Sequence, residues 1–228
     1  MSSRTPKKKT NKGGDIVRFE PKGMALINSS LGYMDTFRRV GCLKFFQKLE
    51  GHHLDVAYNF FLNYDGTNSK VGELVIPVIE KSISITIGIL VEGERWFKGM
   101  TLDISEFIQF FKKEYQDFKL TTGASIKCMM KENNELLKVI QRYFTCEGRF
   151  NMVYLYHIRL LLHFTGKKAL NLPYFLYRSI GKMAEKIQAN PKNYESGLFH
   201  CPLIKLMIVK ELKRRKKIWE SFLEKLGD

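Results

Sequence analysis

From Met152 to Phe164 the chain is apolar nearly all the way round a helix. Met152, Val153, Leu155, Ile158, Leu160, Leu161, Leu162 and Phe164 are interrupted mainly by Arg159 and the histidines His157 and His163. An ordinary surface helix covers a core with one stripe, whereas a helix that lacks a polar face has to be surrounded. The segment therefore predicts a helix buried in the middle of a bundle. It is also short of the roughly 20 apolar residues that a bilayer span requires, as is the uncharged run over residues 82–91. The expectation is a soluble protein with no membrane partner.

The surrounding elements can be read from their periods. Asn171, Leu172 and Pro173 make a good helix start, and Leu176, Ile180, Met183 and Ile187 follow as a stripe that Asn190 and Pro191 end. Residues 203–226 carry Ile204, Ile208, Leu212, Trp219, Phe222 and Leu226 in register. Further helices are expected over residues 33–49, over residues 54–64 up to the Asp65-Gly66 turn, and over residues 134–145. Asp103 with Glu106 three positions on is a capping-box-like start, and Ile104, Phe107, Ile108, Phe111, Tyr115 and Phe118 continue at helical spacing.

Two segments favour strands. Residues 74–79 are apolar and β-branched, and Pro77 inside them restricts them to a sheet edge. Residues 82–87 alternate Ser82, Ile83, Ser84, Ile85, Thr86, Ile87, a half-buried strand pattern; a short helix with Ile83 and Ile87 on one side competes with it. The expected fold is thus mainly α, an irregular helical bundle with a small β element near residues 73–87. Residues 24–228 would form a single domain behind a disordered basic arm, residues 1–23.

Charge is concentrated at the two ends. Residues 1–22 hold seven cations against Asp15 and Glu20, a net +5. Residues 205–217 hold seven cations against Glu211, a net +6, so the two stretches carry 11 of the formal +15. Such concentration is the electrostatic footprint of a protein that meets a polyanion. The candidate contacts are Lys7, Lys8, Lys9 and Lys12 in the arm, and Lys213, Arg214, Arg215, Lys216 and Lys217 in the last helix. The last five exceed one helical turn, so their charges point all round. The bland alternative is a solvated helix joining two packed ends, with apolar anchors at residues 203–209 and 218–222. The run from Pro6 to Lys12 also resembles a nuclear import signal, against the alternative of a solvated tail.

Catalytic signatures are absent from the sequence. His157 and His163 are six apart, His200 adjoins Cys201, and neither spacing matches a structural zinc site. Core histidines bonded to backbone are expected instead, with no metal and no cofactor. There is no phosphate-loop glycine pattern ending in Lys and Ser or Thr, no nucleophile elbow, and no polymerase signature. Cys42, Cys128, Cys146 and Cys201 are widely spaced and read as reduced thiols of an intracellular protein. Trp96, Phe97, Lys98 and Gly99 form the one plausible exposed aromatic group beside a cation, although capping the core is the stronger expectation for those rings.

Several segments carry a resemblance. Residues 92–99 (Glu92 to Gly99), residues 140–145 (Ile140 to Thr145), the helix start Asn171-Leu172-Pro173-Tyr174 with the helix to Gln188, and Phe199-His200 resemble the plant transposon protein domain, related to a non-polymerase reading frame of plant retrotransposons. The resemblance covers about residues 35–225. It implies a retroelement-derived, mainly helical domain, a helix rather than a strand near residues 82–87, and no catalytic residue. Two functions stay open at this point: a non-enzymatic protein that binds DNA or RNA through phosphates, and a protein–protein assembly module whose charge only solubilises it or addresses it to the nucleus.

Overall fold

A computed structural model describes residues 31–43, 45, 53–98, 103–115, 123–145, 151–191, 198 and 200–226. Within them the fold is mainly α, with two small two-stranded sheets. The expected basic arm, residues 1–23, lies outside the described residues.

The buried helix expected over residues 152–164 forms from Leu155 onward, its first residues being drawn into a strand instead. Helix α6, Leu155–Phe164, buries His157, Ile158, Arg159, Leu160, Leu161, Leu162 and Phe164. Met152 and Val153 precede it as a short strand, β4 (Met152–Val153), paired antiparallel with β3 (Ala124–Ser125). Helix α5, Lys131–Ile140, packs on α6. It passes into a wide π-helical turn, Gln141–Thr145, in which Gln141 Nε2 donates to Met152 O at 2.7 Å. Helix α1, Leu31–Arg39, breaks inside the span expected as one helix, with Gly41 in the left-handed region at φ 73°; residues 43 and 45 are helical again, and residues 44 and 46–49 lie outside the described residues. Phe37 of α1 and Phe144 of the π turn both meet Phe164 edge-on or tilted, at 5.6 and 5.1 Å between centroids.

Helix α7, Leu172–Ala189, is the hub of the other half. Asn171 caps it by accepting from Tyr174 N at 2.9 Å, and its stripe Leu176, Ile180, Met183 and Ile187 is buried. It packs on α2 (Leu54–Leu62) and on α3 (Glu80–Ile87), while α8 (Cys201–Leu226) lies across α2, α3 and β2. Among the described residues, all buried apolar side chains belong to one cluster.

The β hairpin is β1 (Asn68–Val71) against β2 (Leu74–Pro77), with Val71 opposite Leu74 and Asn68 opposite Pro77. Gly72, at φ 57°, opens its two-residue turn, and Pro77 sits at the end of the ladder where no donor is needed. Residues 82–87 are helical, against the alternation and with the competing pattern: Ile83, Thr86 and Ile87 are buried while Ile85 is 58% exposed. Ser82 explains the helix start, since its Oγ accepts from Ile79 N at 3.0 Å and donates to Pro77 O at 2.7 Å.

The long helix expected after Asp103 is not formed. A single α turn, α4 (Ile104–Phe107), gives way to a 3-10 turn, Ile108–Phe110, and Phe111 is extended. There the backbone pairs with a distant segment: Lys112 N donates to Cys128 O and Met130 N to Phe110 O, both at 3.0 Å. Groups committed to that bridge cannot serve an α ladder. Phe107, Phe110 and Phe111 are still buried, so the apolar stripe is real, but Tyr115 is 41% exposed. Glu106 does not close a capping box; its carboxylate pairs with Lys168 at 3.0 Å.

Candidate nucleic-acid interface

Helix α8 has a packed half and an exposed half. Cys201, Leu203, Ile204, Met207 and Ile208 are buried at spacings of three and four, and Glu211 is the last buried side chain of that stripe. From Leu212 to Ile218 every side chain is exposed, as is Glu220. The second apolar anchor expected at residues 218–222 therefore fails at Ile218, which is 54% exposed. A cleft of about 420 Å³, lined by Val75, Pro77, Ile85, Glu211, Arg214 and Arg215 among others, lies between this part of α8 and the elements β2 and α3.

Lys213, Arg214, Arg215, Lys216 and Lys217 lie together on this exposed length. They are not equivalent. The Arg214 fork donates to both oxygens of the buried Glu211 carboxylate, Nε at 2.8 Å and Nη2 at 2.6 Å, and Arg215 Nε reaches it at 3.4 Å. The bonds from Arg214 hold Glu211 below the usual carboxylate range. Lys216 pairs with Glu220 at 3.6 Å across an exposed helical turn, a contact worth little in water. Among the described residues Lys213 and Lys217 make no ion pair. One buried acid thus tethers two arginines, and the three lysines face solvent. Lys7, Lys8, Lys9 and Lys12 lie outside the described residues, so the structure does not bring the two basic stretches together.

A second group of cations was not singled out from the sequence. Tyr174, Arg178 and Lys182 follow each other at four-residue spacing on the face of α7 opposite its buried stripe. The loop carrying Glu94 to Lys98 docks beside them. Gly93 makes this possible: it sits at φ 92°, and a Cβ there would meet the backbone of Ala169 and Leu170 at 2.9 Å. Glu94 N then donates to Ala169 O at 3.2 Å and Asn171 N to Glu94 O at 2.9 Å. Trp96 and Phe97 are buried, 2% and 5% exposed, so these rings cap the core instead of standing open to bases.

Around Phe97 the cations converge. Lys182 Nζ is 5.4 Å, Arg178 Cζ 5.5 Å and Lys98 Nζ 5.8 Å from its ring centroid. Lys98 also lies 4.5 Å from the Tyr156 ring, and Arg95 and Arg178 lie 5.6 and 5.9 Å from that of Tyr174. Burial first, and the neighbouring Lys182 charge second, bring the Lys98 ammonium down to about 8. The four-residue spacing was legible in the sequence; the arrival of Lys98 beside it, 80 positions before Arg178, was not.

Three histidines, His157, His163 and His200, are held by hydrogen bonds inside the fold. His157 Nδ1 accepts from Tyr154 N at 3.1 Å, which leaves Nε2 to face Thr145 Oγ1 at 3.4 Å. His163 Nδ1 accepts from Leu170 N at 3.1 Å, and His200 Nε2 meets Ser179 Oγ at 2.8 Å. No group of three His, Cys, Asp or Glu side chains among the described residues could hold a metal ion. None of their helices is long and apolar enough to cross a membrane. No family model, curated protein or solved structure matches this chain.

Proposed function

We propose that this is a non-enzymatic protein that binds DNA or RNA through its phosphates, with the exposed half of α8 as a contact surface and the arm lysines Lys7, Lys8, Lys9 and Lys12 as a second one. The resemblance of residues 92–99, 140–145 and the α7 start to a retroelement-derived domain agrees with that role. One observation carries the reading: five consecutive cations stand on a helical length where no described side chain from Leu212 to Glu220 is buried. A phosphate backbone can reach such a surface without displacing any packed group, and its counterions supply the driving force.

The test is a titration of DNA and RNA, single- and double-stranded, over a series of salt concentrations. The Lys213→Gln, Lys216→Gln, Lys217→Gln variant spares the arginines that hold Glu211. It should weaken binding to all sequences alike, and the log–log salt slope should shrink by about 0.7–0.9 for each phosphate no longer neutralised. An unchanged slope removes the phosphate role from α8. Negligible binding by the unmutated protein at about 50 mM salt removes the nucleic-acid reading altogether.

One observation favours the rival assembly module. Leu212 and Ile218 are 49% and 54% exposed on the same helical length, apolar surface that a partner helix could cover. Such an association would be nearly insensitive to salt, unlike phosphate binding.

A further inference from the structure

We propose that Lys98, Arg178 and Lys182, mounted around the Phe97 ring, form a separate, preorganised phosphate-binding site for a nucleic-acid backbone. The proposal rests on the nucleic-acid reading above but uses none of the residues of α8. Three cations lie within 6 Å of one ring centroid. Such crowding of like charge is unfavourable in the free protein, and it adds to burial, the larger cause, in disfavouring the charged form of Lys98. A ligand with densely spaced negative charge relieves it.

The aromatic rings determine how the cations are presented. The Lys98 ammonium sits over Tyr156, and the guanidinium of Arg178 lies near both Phe97 and Tyr174. Arg178 Nη1 is further placed by Tyr174 Oη at 3.3 Å. Held over rings, these side chains lose less freedom on meeting a ligand than free surface cations would. Arg178 also presents a planar fork that matches two phosphate oxygens at once.

Glu185 lines the same cleft as Arg178 and Lys182 but pairs with neither of them. Glu80 is committed to Arg95 at 3.0 Å and to Asn171 Nδ2 at 3.2 Å. Among the described residues neither Arg178 nor Lys182 has a carboxylate within ion-pair reach. The site is also a fixed part of the fold. Phe97 packs on Phe175 of α7 at 5.4 Å, and the loop that carries Lys98 is pinned through Glu94. His200, just before α8, bonds to Ser179, the residue after Arg178. Lys213 is 13 residues further on, about 20 Å along the helix at its ordinary rise. The two surfaces are therefore distinct.

The experiment compares Arg178→Gln, Lys182→Gln with the three-lysine variant of α8, each against oligo(dT) and a duplex of equal length, by fluorescence anisotropy across salt. Both α7 side chains are exposed, so the melting temperature should stay constant. The salt slope should fall by about 1.4 on the single strand and about 1.8 on the duplex, for two phosphates no longer neutralised. The exchange Arg178→Lys, Lys182→Arg should keep most of the slope, because the charge is retained. A slope unchanged in the α7 variant but reduced in the α8 variant overturns this site and leaves the α8 reading standing. The converse supports this site and removes α8. Absence of binding by the unmutated protein overturns both. Displacement of the oligonucleotide by polyglutamate at equal charge concentration overturns the nucleic-acid assignment in favour of an acidic protein partner.

Discussion

Arg159 Nη2 donates to Glu94 Oε2 at 2.9 Å, so a fully buried guanidinium in the middle of α6 fixes a loop 65 positions earlier in the chain. The same guanidinium donates to Lys168 O and Ala169 O, each at 2.9 Å. Arg159 thereby joins three pieces of chain that no helix or sheet connects: α6, the turn that follows it, and the loop that presents Lys98. An arginine that looked like an interruption of an apolar run is the residue that organises the surface above it.

Replacing Arg159 by Met should therefore be costly although Met suits the apolar run. Lys168 O would lose its buried donor, and Ala169 O and Glu94 would keep only Glu94 N and the more distant Lys168 ammonium at 3.8 Å, a loss of about 1–3 kcal/mol in urea denaturation. Arg159→Lys should not rescue it, since an ammonium cannot span three acceptors as the fork does. Equal stability of the Met variant and the parent would show that backbone pairing alone holds the loop.

Leu161, fully buried on the same helix, tests the bundle itself. Leu161→Ala should destabilise by about 2–5 kcal/mol, depending on how far the cavity collapses. A change within error would contradict the placement of α6 at the core.

The contrast between these helices and the rest shows what a single sequence exposes. The stripe of α7 and the all-round apolarity of α6 are local patterns, and burial follows them. The failures share a different cause. Residues 103–118 have the period of a helix, yet Phe110 and Lys112 spend their backbone groups on Cys128 and Met130, a long-range choice with no local sign. Strand β1 was missed because its residues are polar; Ser69 is nonetheless buried, with Oγ donating to Phe60 O at 2.5 Å. At residues 82–87 the alternation misled because Ile85 is simply exposed. Of the candidate interface, the α8 charge run could be read directly. That Glu211 is buried under Arg214 could not, since in the sequence it is only one acid among cations. The cluster at Phe97 depends on a docked loop, so only its α7 half left a trace.

Three buried imidazoles should make the fold acid-sensitive. Burial, then the Lys98 charge, brings both His157 and His200 down to about 3; burial, then Arg159, brings His163 down to about 4. In the unfolded chain a histidine titrates near 6.5. Between about 6.5 and the folded values the unfolded chain holds more protons, so stability is full above 6.5 and declines as pH falls. Each linked histidine contributes at most about 1.4 kcal/mol per pH unit. Urea midpoints measured in steps from about pH 7 to 4.5 should fall accordingly. His200→Asn, which suits the left-handed backbone at φ 58°, should flatten the profile by about one-third. A level profile in the parent would mean that these rings are charged or solvated in the fold.

Glu211 offers a test of α8 with the opposite sign to lysine removal. Its carboxylate occupies Arg214 through two bonds and touches Arg215, so both guanidiniums are partly withheld from any other anion. Glu211→Gln keeps the shape of the side chain and removes the charge that tethers them. If the exposed half of α8 meets phosphates, this variant should bind nucleic acid more tightly than the parent, with a salt slope steeper by about 0.7–0.9 for each arginine that gains a phosphate. Some stability should be lost above the carboxylate range, because the ion pair is present in the parent only while Glu211 is charged. That contribution fades as pH falls through its lowered folded value, so parent and variant should converge in acid. Tighter binding from Glu211→Gln together with weaker binding from the three lysine changes is a pair of results that a merely solubilising charge cannot produce. Identical affinity and slope in parent and Glu211→Gln would show that the two arginines make no phosphate contact.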